Sequence, residues 1–351
     1  MSTVKAMVTK VTGIRSHPNA DRLELGIIGG WQVCLPKDRY KNGDEVVYLE
    51  QGSVIPEAMA IKLGIANHLS SKTDINGIEV KVVYRVRLRG EPSFGLVIDK
   101  ERDMKEGDDV TEYYGITKFM PPPKELPKDG EEEDIRFPSY TDIENMRSFS
   151  SILKEDEEVL ITEKIHGRSA RLGCVYDNTT MTFMAGSRTI KRKYPGDNTT
   201  NTNLYWAPMN REIVELMEGL IKEGANQVVI YGEIFGKGIQ NYSYGIDEVK
   251  FRAFDLMIDG CYMDYDLSLR LFNYFNILTA PLLYRGLFNL DIVKELSNGN
   301  SLVGGNQGRE GVVVKPIKER TDPSIGRVIL KYVGDDYLFG KGNDEADTTD
   351  I

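Results

Sequence analysis

Five consecutive residues near the middle of the chain, Glu163, Lys164, Ile165, His166 and Gly167, carry its strongest chemical signal. A lysine amine can attack a nucleotide phosphate, but an ordinary lysine has a pKa of ~10.4 and is almost wholly protonated at neutral pH. Lys164 would need nearby cations and partial burial to lose that proton. The flanking stretches 157–162 (EEVLIT) and 169–175 (SARLGCV) alternate apolar and polar residues, so the lysine falls at a tight strand-to-strand connection. Gly167 can adopt backbone angles closed to other residues and leaves room for a ligand. Alone, a lysine before a glycine turn reads as a solvated surface charge.

Downstream polar residues arrive on strand-like segments. Val228 to Tyr231 form an apolar strand delivering Glu233, a glutamate between glycines that is costly to bury unless it meets a cation, a sugar hydroxyl or a metal-bound water. Residues 251–255 (FRAFD) set Phe254 and Arg252 on one face, with Phe254 either stacking on a base or filling the core. Residues 310–315 (EGVVVK) place Glu310 and Lys315 along one strand, and residues 327–333 (RVILKYV) deliver Lys331. Ser187 and Arg188 end another strand, before the run Lys191, Arg192, Lys193, which is either a solvated loop or a nucleic-acid contact. Together these residues suit phosphoryl-type transfer from ATP. Glu233 and Glu310 could hold the water ligands of a magnesium ion, and Lys315 and Lys331 could steady the α-phosphate.

Two regions must carry these residues. Residues 1–118 read as short strands separated by glycine, proline and asparagine turns, the pattern of a small barrel. Within it Lys81, Arg85, Arg87 and Arg89 share one parity, giving a basic face that is either solvated or tracks phosphates. Residues 119–138, rich in proline and acid, read as an extended linker. Residues 139–340 form the second region. It opens on an amphipathic helix at 142–153 whose Arg147 faces either the site or solvent, and helices follow at 211–223, 267–278 and 290–296. An acidic, disordered tail closes the chain at 341–351.

The chain has 351 residues and a net charge of −10, of which residues 124–136 contribute −3 and residues 342–351 −4, so the folded body can still present basic grooves. The polar N-terminus and the lack of an 18-residue apolar run place it in the cytoplasm. Cys34, Cys174 and Cys261, widely spaced, read as buried thiols, and His17 and His68 lack partners at metal-ligand spacing.

Residues 17–23 (HPNADRL) resemble the opening of the OB-fold tRNA-binding modules found beside some aminoacyl-tRNA synthetases. In their order, EKIHG, Ser187-Arg188, GEIFG, FRAFD, EGVVVK and ILKY resemble the motifs of the covalent nucleotidyltransferase superfamily of ATP-dependent ligases and capping enzymes. EKIHG is similar to the nucleophile motif of phage-type and trypanosome-editing RNA ligases. The N-terminal OB-like barrel is most similar to that of the Deinococcus and Naegleria type of RNA ligase. The resemblance implies an α+β protein in which an antiparallel-sheet nucleotidyltransferase domain follows the barrel. It implies ATP and Mg2+ or Mn2+ as cofactors and RNA as the partner, either a nicked duplex or free ends. Lys164 would form a lysyl-AMP, and His166 would belong to the same catalytic motif. Glu163 and Phe254 would bind adenine, Arg188 the ribose or the nucleic-acid end, and Glu233 the ribose and a metal water. Glu310 would hold a metal water, and Lys315 and Lys331 the phosphates. Ser169 stands where some RNA ligases have asparagine, and Val333 where many relatives have a second lysine, so pyrophosphate contacts fall to Arg147 or Arg171. A DNA ligase, a GTP-using capping enzyme and a non-catalytic RNA-binding barrel are the competing readings.

Overall fold

The computed structural model describes residues 4–122, 126–196 and 203–340, so the acidic tail 341–351 lies outside the described residues. The chain divides into two compact units, one ending at Lys124 and one spanning Glu125–Gly340. Among the described residues no helix is long and apolar enough to cross a membrane. Cys174 is buried and Cys34 partly so, but Cys261 is exposed in a turn-linked strand, against expectation.

In the first unit, alternating strands build a five-stranded antiparallel sheet. Its spatial order is Leu96–Asp99, Glu45–Leu49, Ala6–Ser16, Leu23–Ile28, Trp31–Pro36. Ala6, Val8, Val47, Leu49 and Ile98 form its inner side and pack on Ile55 of a second, four-stranded sheet and on Val83 just beyond it. The expected basic face does not form. The segment breaks after Glu79–Val82, where Val83 turns into the core. It resumes as Val86–Leu88, which pairs back on Glu91–Ser93 through a hairpin with Arg89 at φ 51°. Val86 and Leu88 are exposed while Arg85 and Arg87 are half-buried, and Lys81 donates to Ser71 Oγ on the neighbouring strand (2.6 Å). Lys81 and Arg87 therefore lie in different sheets, with Arg85 and Arg89 outside both strands.

The second unit contains two sheets. The seven-stranded one is centred on Arg168–Tyr176, Gln227–Gly236 and Val249–Ile258, and the five-stranded one on Leu330–Val333, Gly311–Pro316 and Glu158–Lys164. Helix Arg211–Lys222, capped by Asn210 on Ile213 N, buries Ile213, Leu216 and Met217 against Leu172, Val228 and Ile230 of the larger sheet. Helix Leu290–Ser297 covers the outer face of the smaller sheet, where Val159, Ile161, Val312, Val314 and Leu330 point. The inner faces meet where Val313 and Ile329 pack with Tyr231 and Met257.

Two expectations for this unit's start are corrected. Residues 142–153 do not form a helix: Glu144–Asn145 pairs in parallel with Leu330 and Lys331, and successive i to i+3 turns follow. Met146, Phe149 and Leu153 are buried at helix-like spacing, but the hydrogen bond from Met146 N to Lys331 O holds the backbone in the sheet. Nor is the acidic stretch a loose connector. Gly130–Glu131 pairs with Lys191–Arg192 at the sheet edge, Asp129 bonds Arg192 (2.7 Å), and Phe137 is fully buried.

Candidate active site

Strand register decides which residues can meet. In the smaller sheet Lys164 lies opposite Gly311, which lies opposite Val333, and Val313 lies opposite both Thr162 and Lys331. Cross-strand partners project to the same face. Lys164 and Lys331 therefore both look inward, two strands apart, while Val159, Ile161 and Val312 look outward into the core beneath helix Leu290–Ser297. The same register puts Val333 on the inner face beside Gly311. The position lacking a second lysine is thus a wall of the site.

Lys164 Nζ is paired with Glu310 Oε1, and Glu310 is 5% exposed. Burial opposes the charge of Glu310, but Lys164 and His166 outweigh it and hold its carboxyl below the ordinary value. A carboxylate thus stands beside the nucleophile candidate, where loss of the amine proton called for cations. A carboxylate partner favours the ammonium over the amine. Glu310 Oε2 is buried without a hydrogen bond and faces His166 Nδ1 at 3.3 Å. The imidazole contacts Tyr242 edge-on (ring centroids 4.9 Å) and the Tyr337 hydroxyl (3.2 Å), and its backbone N–H donates to the Tyr244 hydroxyl (2.6 Å).

Gly167 is required for a different reason than backbone freedom. A Cβ there would lie 2.2 Å from Ile234 O and 2.9 Å from Glu233 Cγ. The missing side chain lets the Glu233 strand close onto the nucleophile motif, which brings Glu233 beside it. Glu233 in turn lies between Ser169 and Arg252 across its own sheet.

Other candidates have different partners. Glu163 alternates with Lys164 and is buried on the opposite side. There it accepts from Ser301 Oγ and Leu302 N (2.8 Å), so its carboxylate pins the loop before Glu310 rather than reaching for a base. Lys315 pairs with Asp255, which also accepts from Tyr140 and from Arg327 Nη1 (2.9 Å). Burial opposes the charge of Asp255, but Arg327 and Lys315 hold it well below the usual aspartate range. Lys315 is thereby built into a buried ion network. Arg147 bonds Val333 O (3.0 Å) and Asp335 (2.6 Å), and Arg171 is fully buried against Phe137 and Glu133, so neither is offered to a pyrophosphate. Arg188 is half-exposed and paired with Asp142. Phe254 is the extra residue of a bulge between Tyr231 and Gly232, so Arg252 shares its face with Asp255 instead. The half-buried ring packs 5.0 Å from Tyr140.

A buried carboxylate oxygen lacking a donor, as at Glu310, suits a hydrated divalent cation, since magnesium keeps several waters and prefers oxygen ligands. Among the described residues no three His, Cys, Asp or Glu side chains converge on one point. Glu310 and Glu233 therefore fit contact through water rather than a protein cage. Sequence reasoning passed over Asp255 and Tyr337. An aspartate inside the apolar run FRAFDLMI was a usable signal for the first, because a buried charge demands partners. Nothing local marked the tyrosine.

Residues 157–333 match the family model described as RNA ligase, and residues 5–100 match one described as an OB-fold domain. Among curated proteins, none matches the chain. Solved structures of the Naegleria gruberi RNA ligase are similar over nearly the whole length. A lysine-to-alanine variant with ATP and Mn is 24% identical, with 95% of this chain and 98% of that chain covered at a TM-score of 0.67. The ligase with pyrophosphate is 25% identical, with 95% and 97% covered at a TM-score of 0.65. A glutamate-to-alanine variant with AMP and Mn is also 25% identical, with the same coverage and a TM-score of 0.67. The family match takes in the strand that bears Lys164, the strand that follows Glu310 and the strand that bears Lys331. This chain belongs to the RNA ligase family.

Proposed function

We propose that the chain is an ATP-dependent RNA ligase that joins 3'-hydroxyl and 5'-phosphate ends through a lysyl-AMP at Lys164. The observation that supports this most is the convergence of Lys164, His166 and Glu310 within the span that matches RNA ligases. The ATP and pyrophosphate held by the similar Naegleria ligase are the substrate and leaving group of such a first step, and the AMP it also holds is the group that step would transfer to the lysine.

In that step the Lys164 amine attacks the α-phosphorus, a P–N bond forms, and the bond to pyrophosphate breaks. The AMP phosphoryl group then passes to an RNA 5'-phosphate oxygen, which frees the lysine. Attack by a 3'-hydroxyl on that 5'-phosphorus finally expels AMP and closes the strand. Lys331, inward-facing in register with Val313, is placed to offset phosphate charge. Lys164 must lose a proton before attack, and its tie to Glu310 opposes this as long as the carboxylate has no other charge to serve. Glu310 and Glu233 would hold a divalent ion through water, and that ion would neutralise phosphate charge.

The test is incubation with α-labelled ATP and a divalent cation, followed by addition of nicked duplexes with RNA or DNA 3'-hydroxyl ends. The reading expects a covalent adduct with ATP and not GTP, loss of the adduct in Lys164→Ala, and sealing of RNA-ended nicks. RNA binding with no adduct under any nucleotide would overturn it.

A further inference from the structure

The backbone N–H of His166 donates to the Tyr244 hydroxyl across 2.6 Å, and because a peptide N–H can only donate, the direction of this bond is fixed. Ile165 packs in one apolar cluster with Tyr244. The strand bearing Lys164 ends at that residue and the next begins at Arg168, so the turn 165–167 lies outside both strands. Tyr244 thus anchors the turn that follows Lys164 through a backbone bond and an apolar cluster. The tyrosine is itself closely held. It is 2% exposed, its ring meets that of Phe235 edge-on (centroids 5.4 Å), and its backbone sits in the left-handed region at φ 55°, which is unfavourable for a bulky residue. Strain of this kind persists only where neighbouring contacts enforce it, and it concentrates at functional sites.

Such contacts come from the loop before Glu310. A Cβ at Gly304 would lie 2.8 Å from Tyr244 O, and one at Gly305 would lie 2.9 Å from Tyr244 C. The absent side chains let this loop press against the Tyr244 backbone, and Glu163 grips the same loop through Ser301 Oγ and Leu302 N. The residue before Lys164 and the turn after it are therefore tied to one unit of loop and tyrosine. We propose that Tyr244 is a positioning residue for the nucleophile: its hydroxyl fixes the turn 165–167 and thereby the direction in which the Lys164 amine is presented. In-line attack on phosphorus needs that direction, and a small misplacement lowers the rate steeply. The need is confined to steps in which the amine reacts. When a 3'-hydroxyl attacks an RNA 5' end that already carries AMP, the new bond joins RNA atoms and AMP leaves, so this step does not draw on Tyr244. The catalytic consequence rests on the ligase reading above; the hydrogen bond does not.

Tyr244→Phe keeps the ring and removes the acceptor. In single turnover with α-labelled ATP and a divalent cation, it is expected to lower the adduct-forming rate at saturating ATP about tenfold with the Kd for ATP nearly unchanged. Sealing of a pre-adenylated nicked duplex is expected to stay within about twofold of wild type. A similar loss in both reactions is what general damage would give and overturns the proposal, as does an unchanged adduct-forming rate or a loss confined to ATP affinity. Where Tyr244→Phe does not fold, Gly305→Ala, which crowds the Tyr244 backbone, takes its place with the same expected split. The bond has its own readout in the full chain labelled with 15N-histidine, which has three histidines, the His166 amide being the signal lost in His166→Gln. That amide is expected to exchange with deuterium slowly in wild type and faster in Tyr244→Phe. Rapid exchange already in wild type overturns the proposal. Absence of any adduct in the wild type would overturn the ligase reading alone, and the amide would still decide the hydrogen bond.

Discussion

Asp255 shows how far a residue's partners can change its meaning. Sequence set it at the end of FRAFD with no role, and Lys315 was expected at a phosphate; in the structure each is the other's counter-ion, with Arg327 as the third member. Asp255→Asn leaves two buried cations short of a carboxylate and is expected to cost ~3–5 kcal/mol in urea unfolding. Its pH dependence has a definite sign. Asp255 and Glu310 sit below their ordinary values of 3.8 and 4.5, so the stability they contribute is complete above that range and is lost as pH falls through the lowered folded values. Unfolding midpoints measured through acid pH should fall more steeply in wild type than in Asp255→Asn. Glu163→Gln weakens the hold on Ser301 and Leu302 and is expected to cost ~1–3 kcal/mol, with no switch in base preference between ATP and GTP. A base switch would return Glu163 to adenine recognition. These partners were not legible in the sequence, because ion pairs between residues 60 or more positions apart leave no local spacing to read.

Among the elements, the strands bearing Lys164, Glu233 and Lys331 and the one that follows Glu310 were legible because their apolar and alternating patterns are local. Helices Arg211–Lys222 and Leu290–Ser297 were legible from their apolar stripes. Residues 142–153 were misread for a physical reason. Met146, Phe149 and Leu153 occur at helical spacing, and only the parallel pairing with Leu330–Val333 excludes a helix. The basic face at 81–89 failed likewise, since parity is meaningful only while a strand continues, and here it stops at Val82. Helix Leu290–Ser297 supports the outer side of the catalytic sheet, and Asn289 caps it through Asp291 N and Ile292 N. Asn289→Ala should lower stability by ~1 kcal/mol in thermal unfolding. Adduct formation at ambient temperature should be unaffected, since the cap touches no inward-facing residue.

For the molecule as a whole, the order of motifs was more informative than any one of them, and the span that carries most of them, residues 157–333, is the span that matches the RNA ligase family. The boundary between compact units falls after Lys124, and the second unit has its own cores. A protein comprising residues 125–340 is therefore expected to form the ATP adduct, and on the proposed reading, in which the N-terminal OB-fold unit would hold the duplex, to seal nicks poorly. Equal sealing by the truncated and full chains would contradict that division. The central claim is that Lys164 itself bears the AMP. Mass-spectrometric mapping of the ATP-treated protein should find one AMP phosphoramidate, on the peptide containing Lys164. An adduct on any other residue, or none in the presence of ATP and a divalent cation, would contradict the account.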